Sequence, residues 1–74
     1  MNELLRLWGS NIRTGRVALK MTQYDLAEAV GVRTASVCRW ECGKSTPTDM
    51  HKLAIATALH QEVRQLFPLV RVAA

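Results

Sequence analysis

The sequence lacks a long apolar run. Among its 74 residues, no stretch approaches the ~20 apolar residues that a membrane-spanning helix requires. Glu3 and Arg6 interrupt the leucines near the N-terminus, so the apolar core of a signal peptide is also missing. We therefore expect a protein that contacts no membrane and works in the cytoplasm.

Cysteine is scarce, with only Cys38 and Cys42 in the chain. The two lie four residues apart on one predicted helix, and adjacent turns of a helix do not favour disulfide geometry. Neither His51 nor His60 completes a zinc-binding pattern with them. The sequence therefore predicts two reduced thiols in a reducing compartment and no metal site.

Arrangements of catalytic residues are also missing. The sequence holds no paired carboxylates, no Cys–His arrangement and no glycine-rich phosphate loop with supporting context. It also holds no internal repeat, linker or low-complexity segment. These absences predict one domain over residues 1–74 that is not an enzyme and uses no cofactor or small-molecule ligand.

What is present is the composition of a small folded domain. Apolar residues make up 49% of the chain and charged residues 22%, which is typical of a folded protein. Ten Lys and Arg against six Asp and Glu give a net charge of +4. Many unrelated proteins share such an excess, so the net charge alone predicts no particular partner.

The stretch from Met21 to Trp40 predicts two short helices joined by a tight turn. Thr22 can cap the first helix, and Asp25 sits three residues later, where its charge suits a helix N-terminus. Gly31 follows the apolar stripe and is the residue expected where a left-handed backbone conformation ends a helix. The second helix then starts near Thr34.

That second helix has two contrasting faces on a helical wheel. Ser36, Val37 and Trp40 cluster on one side, which suits packing. The other side carries no Glu or Lys, only small residues around one long cation: Ala35, Cys38, Arg39 and Cys42, with Thr34 at the flank. This face predicts close approach to a partner that is anionic or guanine-like.

Three further helices are predicted around this pair. The first covers residues 3–19, capped by Asn2, with Leu5, Trp8, Ile12 and Leu19 at helical spacing. The fourth follows Thr48 and has a predicted core stripe of Met50, Leu53, Ala54, Ala56, Thr57 and Leu59. The fifth covers residues 62–67 and is ended by Pro68, with a tail over 68–74. The predicted fold is all-α, a compact bundle of about five short helices.

Six residue pairs carry a resemblance to a known family: Thr22-Gln23, Leu26-Ala27, Gly31-Val32, Ser36-Val37, Trp40-Glu41 and Gly43-Lys44. The pattern resembles the helix-turn-helix of the lambdoid phage repressor and Cro family (XRE-like), which also occurs in many bacterial regulators and antitoxins. The similarity extends from about Trp8 to Phe67. It implies a lambda-repressor-like fold, double-stranded DNA as the partner, and a bacterial cell or phage-infected host as the setting.

The resemblance also implies DNA contacts. The recognition helix, about Thr34 to Cys42, would enter the major groove with its first residues nearest the bases. The predicted base contacts are Thr34, Ala35, Cys38 and Arg39. The predicted phosphate contacts are Gln23, Arg33, Ser36, Lys44 and Arg13, of which Gln23 matches the phosphate-binding glutamine of the family.

Two further expectations concern assembly. Arg16 sits where the family has an arginine that pairs with the glutamate matching Glu41, which implies an internal ion pair. A Cro-like dimer on a palindromic operator would use half-sites ~34 Å apart. The candidate dimer contacts are Leu66, Phe67, Leu69, Val70 and Val72, although the same residues could instead close the core.

The leading interpretation is a small transcriptional repressor or Cro-like regulator that acts by occupying an operator. The alternative is an antitoxin-like or adaptor module that grips another protein on the same fold. The apolar N-terminal extension and the tail are the features that would serve this second role.

Overall fold

The computed structural model describes residues 2–69, and this part of the chain contains five helices and no strand. The helices are α1 (Glu3–Ala18), α2 (Gln23–Val30), α3 (Thr34–Glu41), α4 (Asp49–Leu59) and α5 (Val63–Leu66). This confirms the all-α prediction. Within the described range, no helix combines the length and apolar character needed to cross a bilayer. Val70 and Val72, two of the predicted dimer contacts, lie outside the described residues.

Polar side chains fix where the helices begin. Asn2 Oδ1 accepts a hydrogen bond from the Leu4 amide at 2.9 Å, and Thr48 Oγ1 accepts one from the His51 amide at 3.2 Å. Thr22 and Asp25 form a reciprocal capping box, in which each side chain bonds the other residue's backbone N–H. These caps satisfy amides that have no partner inside their helix, so the sequence defines the helix starts locally.

The five helices enclose one apolar core. Trp8 and Phe67 meet edge to face with ring centroids 5.6 Å apart. The Trp8 indole N–H also donates to the Pro68 carbonyl at 2.8 Å, and the Asn11 side-chain amide donates to the Leu66 carbonyl at 2.9 Å. These contacts fasten α5 to α1. The buried apolar residues are Trp8, Ile12, Leu26, Ala27, Val37, Trp40, Ile55, Ala56, Leu59, Leu66 and Phe67.

Two glycines lie at close helix crossings, which explains how α1 continues through them. A Cβ on Gly9 would clash with the Trp40 carbonyl oxygen and would lie 2.6 Å from that of Glu41. A Cβ on Gly15 would lie 2.8 Å from Gln61 Nε2. The helix therefore gives up some intrinsic stability at these positions and gains close packing against the end of α3 and the end of α4.

The predicted core stripe of α4 is wrong in part. Met50 and Leu53 are 76% and 58% exposed, and Thr57 is also exposed. Ile55, which the stripe omitted, is fully buried together with Ala56 and Leu59. The helix has apolar residues on every side, so periodicity alone did not select the face that packs against α2.

Two of the candidate dimer contacts lie in the core, which is the alternative that the sequence left open. Leu66 is 0% exposed and Phe67 is 5% exposed within this one chain, so their side chains close the core and present no surface to a second copy. Leu69 is 79% exposed and stays available. Leu19, predicted for the core side of α1, is 42% exposed and follows the helix end.

Candidate nucleic-acid interface

The outward face of α3 carries all four predicted base-contact residues. Thr34, Ala35, Cys38 and Arg39 are exposed. On the opposite side of the helix, Val37 is fully buried and Trp40 is 6% exposed. The helix is thus half embedded in the core and half available, with small side chains surrounding one long cation on the available half.

The turn that leads into α3 sets its direction. Gly31 adopts a left-handed conformation with φ 85°, and its amide bonds the Ala27 carbonyl at 2.8 Å. A side chain is disfavoured in this conformation because its Cβ approaches the neighbouring carbonyl oxygen. Val32, half-buried against the core, then leads to Arg33, which precedes the first residue of α3. The sequence predicted this turn from the position of Gly31 after the apolar stripe of the preceding helix.

Glu41, at the end of α3, joins three helices through its carboxylate. Arg16 of α1 donates from Nε to Glu41 Oε2 at 2.7 Å and from a terminal nitrogen to Oε1 at 3.0 Å. Gln23 of α2 donates from Nε2 to Oε1 at 3.1 Å. The structure therefore contains the pair that the family resemblance implied, and it adds Gln23 to it.

This ion pair is largely removed from solvent, because the Arg16 and Glu41 side chains are only 12% and 4% exposed. The hydrogen bonds to Glu41 raise the pKa of the Arg16 guanidinium, against the opposing effect of burial. A raised pKa in the folded state stabilises the fold at every pH below the arginine's ordinary pKa. That contribution fades only in strongly alkaline solution, so the pair persists at neutral pH.

The predicted phosphate contacts lie around both ends of α3. Arg33 immediately precedes the helix and Lys44 follows it, and both are exposed. Gln23, half-buried at the start of α2, uses one N–H for Glu41 and still has a second donor, because an amide nitrogen carries two. Ser36 is half-buried on α3 and Arg13 is exposed on α1.

The sequence interpretation missed a basic groove beside the end of α3. Its volume is about 390 Å³, and it is lined by Arg6, Ser10 and Arg13 of α1 together with Glu41 and Cys42. The three α1 residues lie at spacings of four and three, which place side chains on one helix face. That spacing was the available signal, but of the three residues only Arg13 was predicted as a phosphate contact, and the extension before Trp8 was considered only for its apolar residues.

Both cysteine thiols are free and exposed. Across residues 2–69, no three His, Cys, Asp or Glu side chains group in a way that could hold a metal ion. The His51 side chain is half-buried, and its ring centroid lies 5.6 Å from that of Trp40. It therefore supports the buried side of α3 and takes no part in the outward face.

Comparisons with known proteins agree with this geometry. The sequence pattern of the helix-turn-helix family matches residues 12–66, most of the chain. The HTH-type transcriptional regulator DicA of Escherichia coli (strain K12) is 41% identical over 51 residues, which are 69% of this chain and 38% of that protein. The chain thus spans less than two fifths of the length of this relative.

Two solved structures have the same fold. The restriction-modification controller protein C.AhdI from Aeromonas hydrophila superposes with a TM-score of 0.81 at 33% identity, covering 85% of this chain and 96% of that one. The clp gene regulator ClgR from Corynebacterium glutamicum also gives a TM-score of 0.81, at 24% identity, covering 85% and 67%. The names of all three similar proteins describe a regulator or a controller protein.

Proposed function

Because this chain belongs to the helix-turn-helix family of DNA-binding transcriptional regulators, we propose that it recognises one particular double-stranded DNA sequence through α3. In this proposal it acts as a repressor or a Cro-like regulator, and bound protein excludes other proteins from the operator. Such a role belongs in the cytoplasm, with access to bacterial or phage DNA.

The observation that supports base reading is the composition and exposure of the outward face of α3. A major groove about 12 Å wide admits a helix only if the side chains on its leading face leave room for the base edges. Ala35 and Cys38 are small and exposed there, whereas the bulky Val37 and Trp40 point into the core. The helix can thus enter the groove without moving its packed side.

Each exposed side chain suits a different base edge. Arg39 can donate two hydrogen bonds to guanine O6 and N7, and Thr34 can donate or accept. The Ala35 methyl can pack against a thymine methyl, with Cys38 as a small apolar neighbour. Around them Gln23, Arg33, Ser36, Lys44 and Arg13 would hold phosphates and fix the register without reading sequence.

The small number of base contacts that one chain can make favours a homodimer on a palindromic operator. One copy of α3 offers four base-reading side chains, which is few for a specific site, and a second copy would double that number. Leu69, with its exposed side chain, is the remaining described candidate for a contact between copies. Leu66 and Phe67 are buried in the core, so this proposal does not use them.

Selection of bound duplexes from a random pool, followed by binding measurements with Arg39→Ala, tests the proposal. We expect recovered half-sites containing a fixed guanine, and an Arg39→Ala variant that loses about 1–3 kcal/mol on them and tolerates other bases at that position. Arg64→Ala removes an equal charge from an exposed α5 residue and serves as the control. If Arg39→Ala weakened selected and random duplexes equally, Arg39 would not be a base contact.

A protein-binding role on the same fold is the second candidate, and the exposed apolar residues of α4 are the observation that favours it. Met50 and Leu53 are both more than half exposed. An antitoxin-like or adaptor protein would cover them with a partner. Purification from its native host with a second small protein bound, combined with no selectable duplex, would favour this role over DNA recognition.

A further inference from the structure

The basic groove beside α3 is continuous with the face proposed to read bases. Cys42 lines the groove, and it lies one helical turn beyond Cys38 on the same side of the helix. A duplex seated against α3 would therefore extend past Cys42 towards α1. The side chains that it would meet there are those of Arg6, Ser10 and Arg13.

The charges of this groove are available for a ligand. Within residues 2–69 neither Arg6 nor Arg13 forms a salt bridge, and both are exposed. The one carboxylate that lines the groove belongs to Glu41, whose oxygens already accept from Arg16 and Gln23. Two free guanidinium groups with a hydroxyl between them match the oxygens of a phosphodiester, since guanidinium N–H donors bind such oxygens in pairs.

Close packing fixes this row of donors relative to α3. A Cβ on Gly43, just past the end of α3, would lie 3.0 Å from Arg6 Cγ and 3.2 Å from Arg6 Cα. Gly9 approaches the last carbonyls of α3 still more closely. The backbone of α1 at Arg6 and the end of α3 thus form one rigid unit, so a phosphate held by one is in register with bases read by the other.

We propose that Arg6, Ser10 and Arg13 form a binding site for the phosphodiester backbone of the duplex that α3 reads. The inference rests on the proposed function and deepens it. It gives the helical extension before Trp8 a role in binding and places a row of contacts at the end of the recognition helix opposite Arg33, beside Gln23.

Salt dependence of binding tests this site, because each phosphate contact releases bound counterions. The double variant R6Q/R13Q is compared with wild type on a selected duplex and on a scrambled one, over a series of salt concentrations. Gln keeps the Cγ of Arg6 that packs on Gly43. We expect the slope of log affinity against log salt to become shallower by about 1.8, or about 0.9 for each lost contact, on both duplexes alike.

Arg64→Gln is the control for the loss of one charge, and so is matched to each of the single variants R6Q and R13Q, because Arg64 lies on α5 and lines a different surface with Glu62 and Pro68. A slope unchanged from wild type in R6Q/R13Q, or changed no more than in R64Q, would overturn the proposal. If the double variant fails to fold by circular dichroism, the single variants R6Q and R13Q are each expected to reduce the slope by about 0.9.

Neutral methylphosphonates placed one at a time in the selected duplex locate the contact. At the phosphates bound by Arg6 and Arg13, the methylphosphonate is expected to weaken wild type and to have no further effect on R6Q/R13Q. Independent, additive losses at every position would refute a local contact. Wild-type protein that binds no duplex at low salt would instead refute the proposed function, so the two failures are distinguishable.

Discussion

Glu41 shows how one side chain can orient a whole helix. Its carboxylate accepts from Arg16 and Gln23, and the Arg16 guanidinium also donates to the Met21 carbonyl at 2.8 Å. The end of α3 is thereby tied to α1, to α2 and to the loop between them. Buried ion pairs of this kind fix geometry more surely than they add stability, so their loss is felt mainly when one partner remains alone.

We predict that Arg16→Met destabilises the fold by about 3 kcal/mol, because the buried Glu41 would keep its charge with only Gln23 as a partner. Replacing both residues, as R16M/E41L, should restore part of that loss. Urea denaturation of R16M, E41L and R16M/E41L measures the coupling free energy between residues 16 and 41. Losses that simply add would show that the pair is not energetically linked.

Gly9 has no side chain, and this lets α1 pack closely against the end of α3. We predict that Gly9→Ala destabilises the protein by about 1–3 kcal/mol, because the added methyl would push α1 away from the carbonyls of Trp40 and Glu41. The gain in helix propensity, at most about 1 kcal/mol, is smaller. Thermal unfolding measures the change, and Ser10→Ala, at the exposed next position, should alter stability by less than about 0.5 kcal/mol. A stabilised Gly9→Ala would contradict the close crossing.

At the scale of elements, the residues at which helices begin and end were largely predictable from the sequence. Which side of a helix is buried was predictable for α3 but not for α4. Thr22, Gly31 and Thr48 act through their own backbone neighbours, so local chemistry was enough to place α2 and the start of α4. The packed side of α3 was also predictable, because its outer side has only small residues and one arginine.

The face of α4 and the groove on α1 depend on distant parts of the chain. Apolar residues occur on every side of α4, and its packing against the other helices decides that Ile55 turns inward. Lys52, for instance, places its ammonium 4.3 Å from the centre of the Trp8 ring, a contact that no local pattern signals. The role proposed for Arg6 likewise depends on a distant part of the chain, because the groove exists only where α1 packs beside the end of α3.

The exposed thiols on α3 make its outward face accessible to a chemical test. We predict that N-ethylmaleimide, by adding bulk at Cys38 and Cys42, weakens specific DNA binding by at least about tenfold. Prior addition of the selected duplex should slow alkylation of Cys38. The variant C38S/C42S should bind DNA and be insensitive to the reagent. Unchanged binding by fully alkylated wild type would place the DNA elsewhere.

At the scale of the whole molecule, one chain offers only four side chains to bases, and the proposed dimer would double that number. We predict two chains on each palindromic duplex and binding to an isolated half-site that is weaker by about 10²-fold, because linked sites raise the effective concentration of the second contact. Sedimentation of protein mixed with full and half duplexes measures both. One chain on each full-length duplex at saturation would rule out the symmetric arrangement.

One side of α3 packs into the core and the other side is exposed. DNA sequence preference and fold stability therefore depend on different residues of the same helix. Thr34, Ala35 and Cys38 touch solvent and support nothing, whereas Val37, Trp40 and Glu41 hold the helix in place. Substitutions confined to the first group should therefore change which target is chosen while leaving the melting temperature almost untouched. The fold is therefore suited to changes of DNA sequence preference, by evolution or by design, that leave the rest of the structure unaltered.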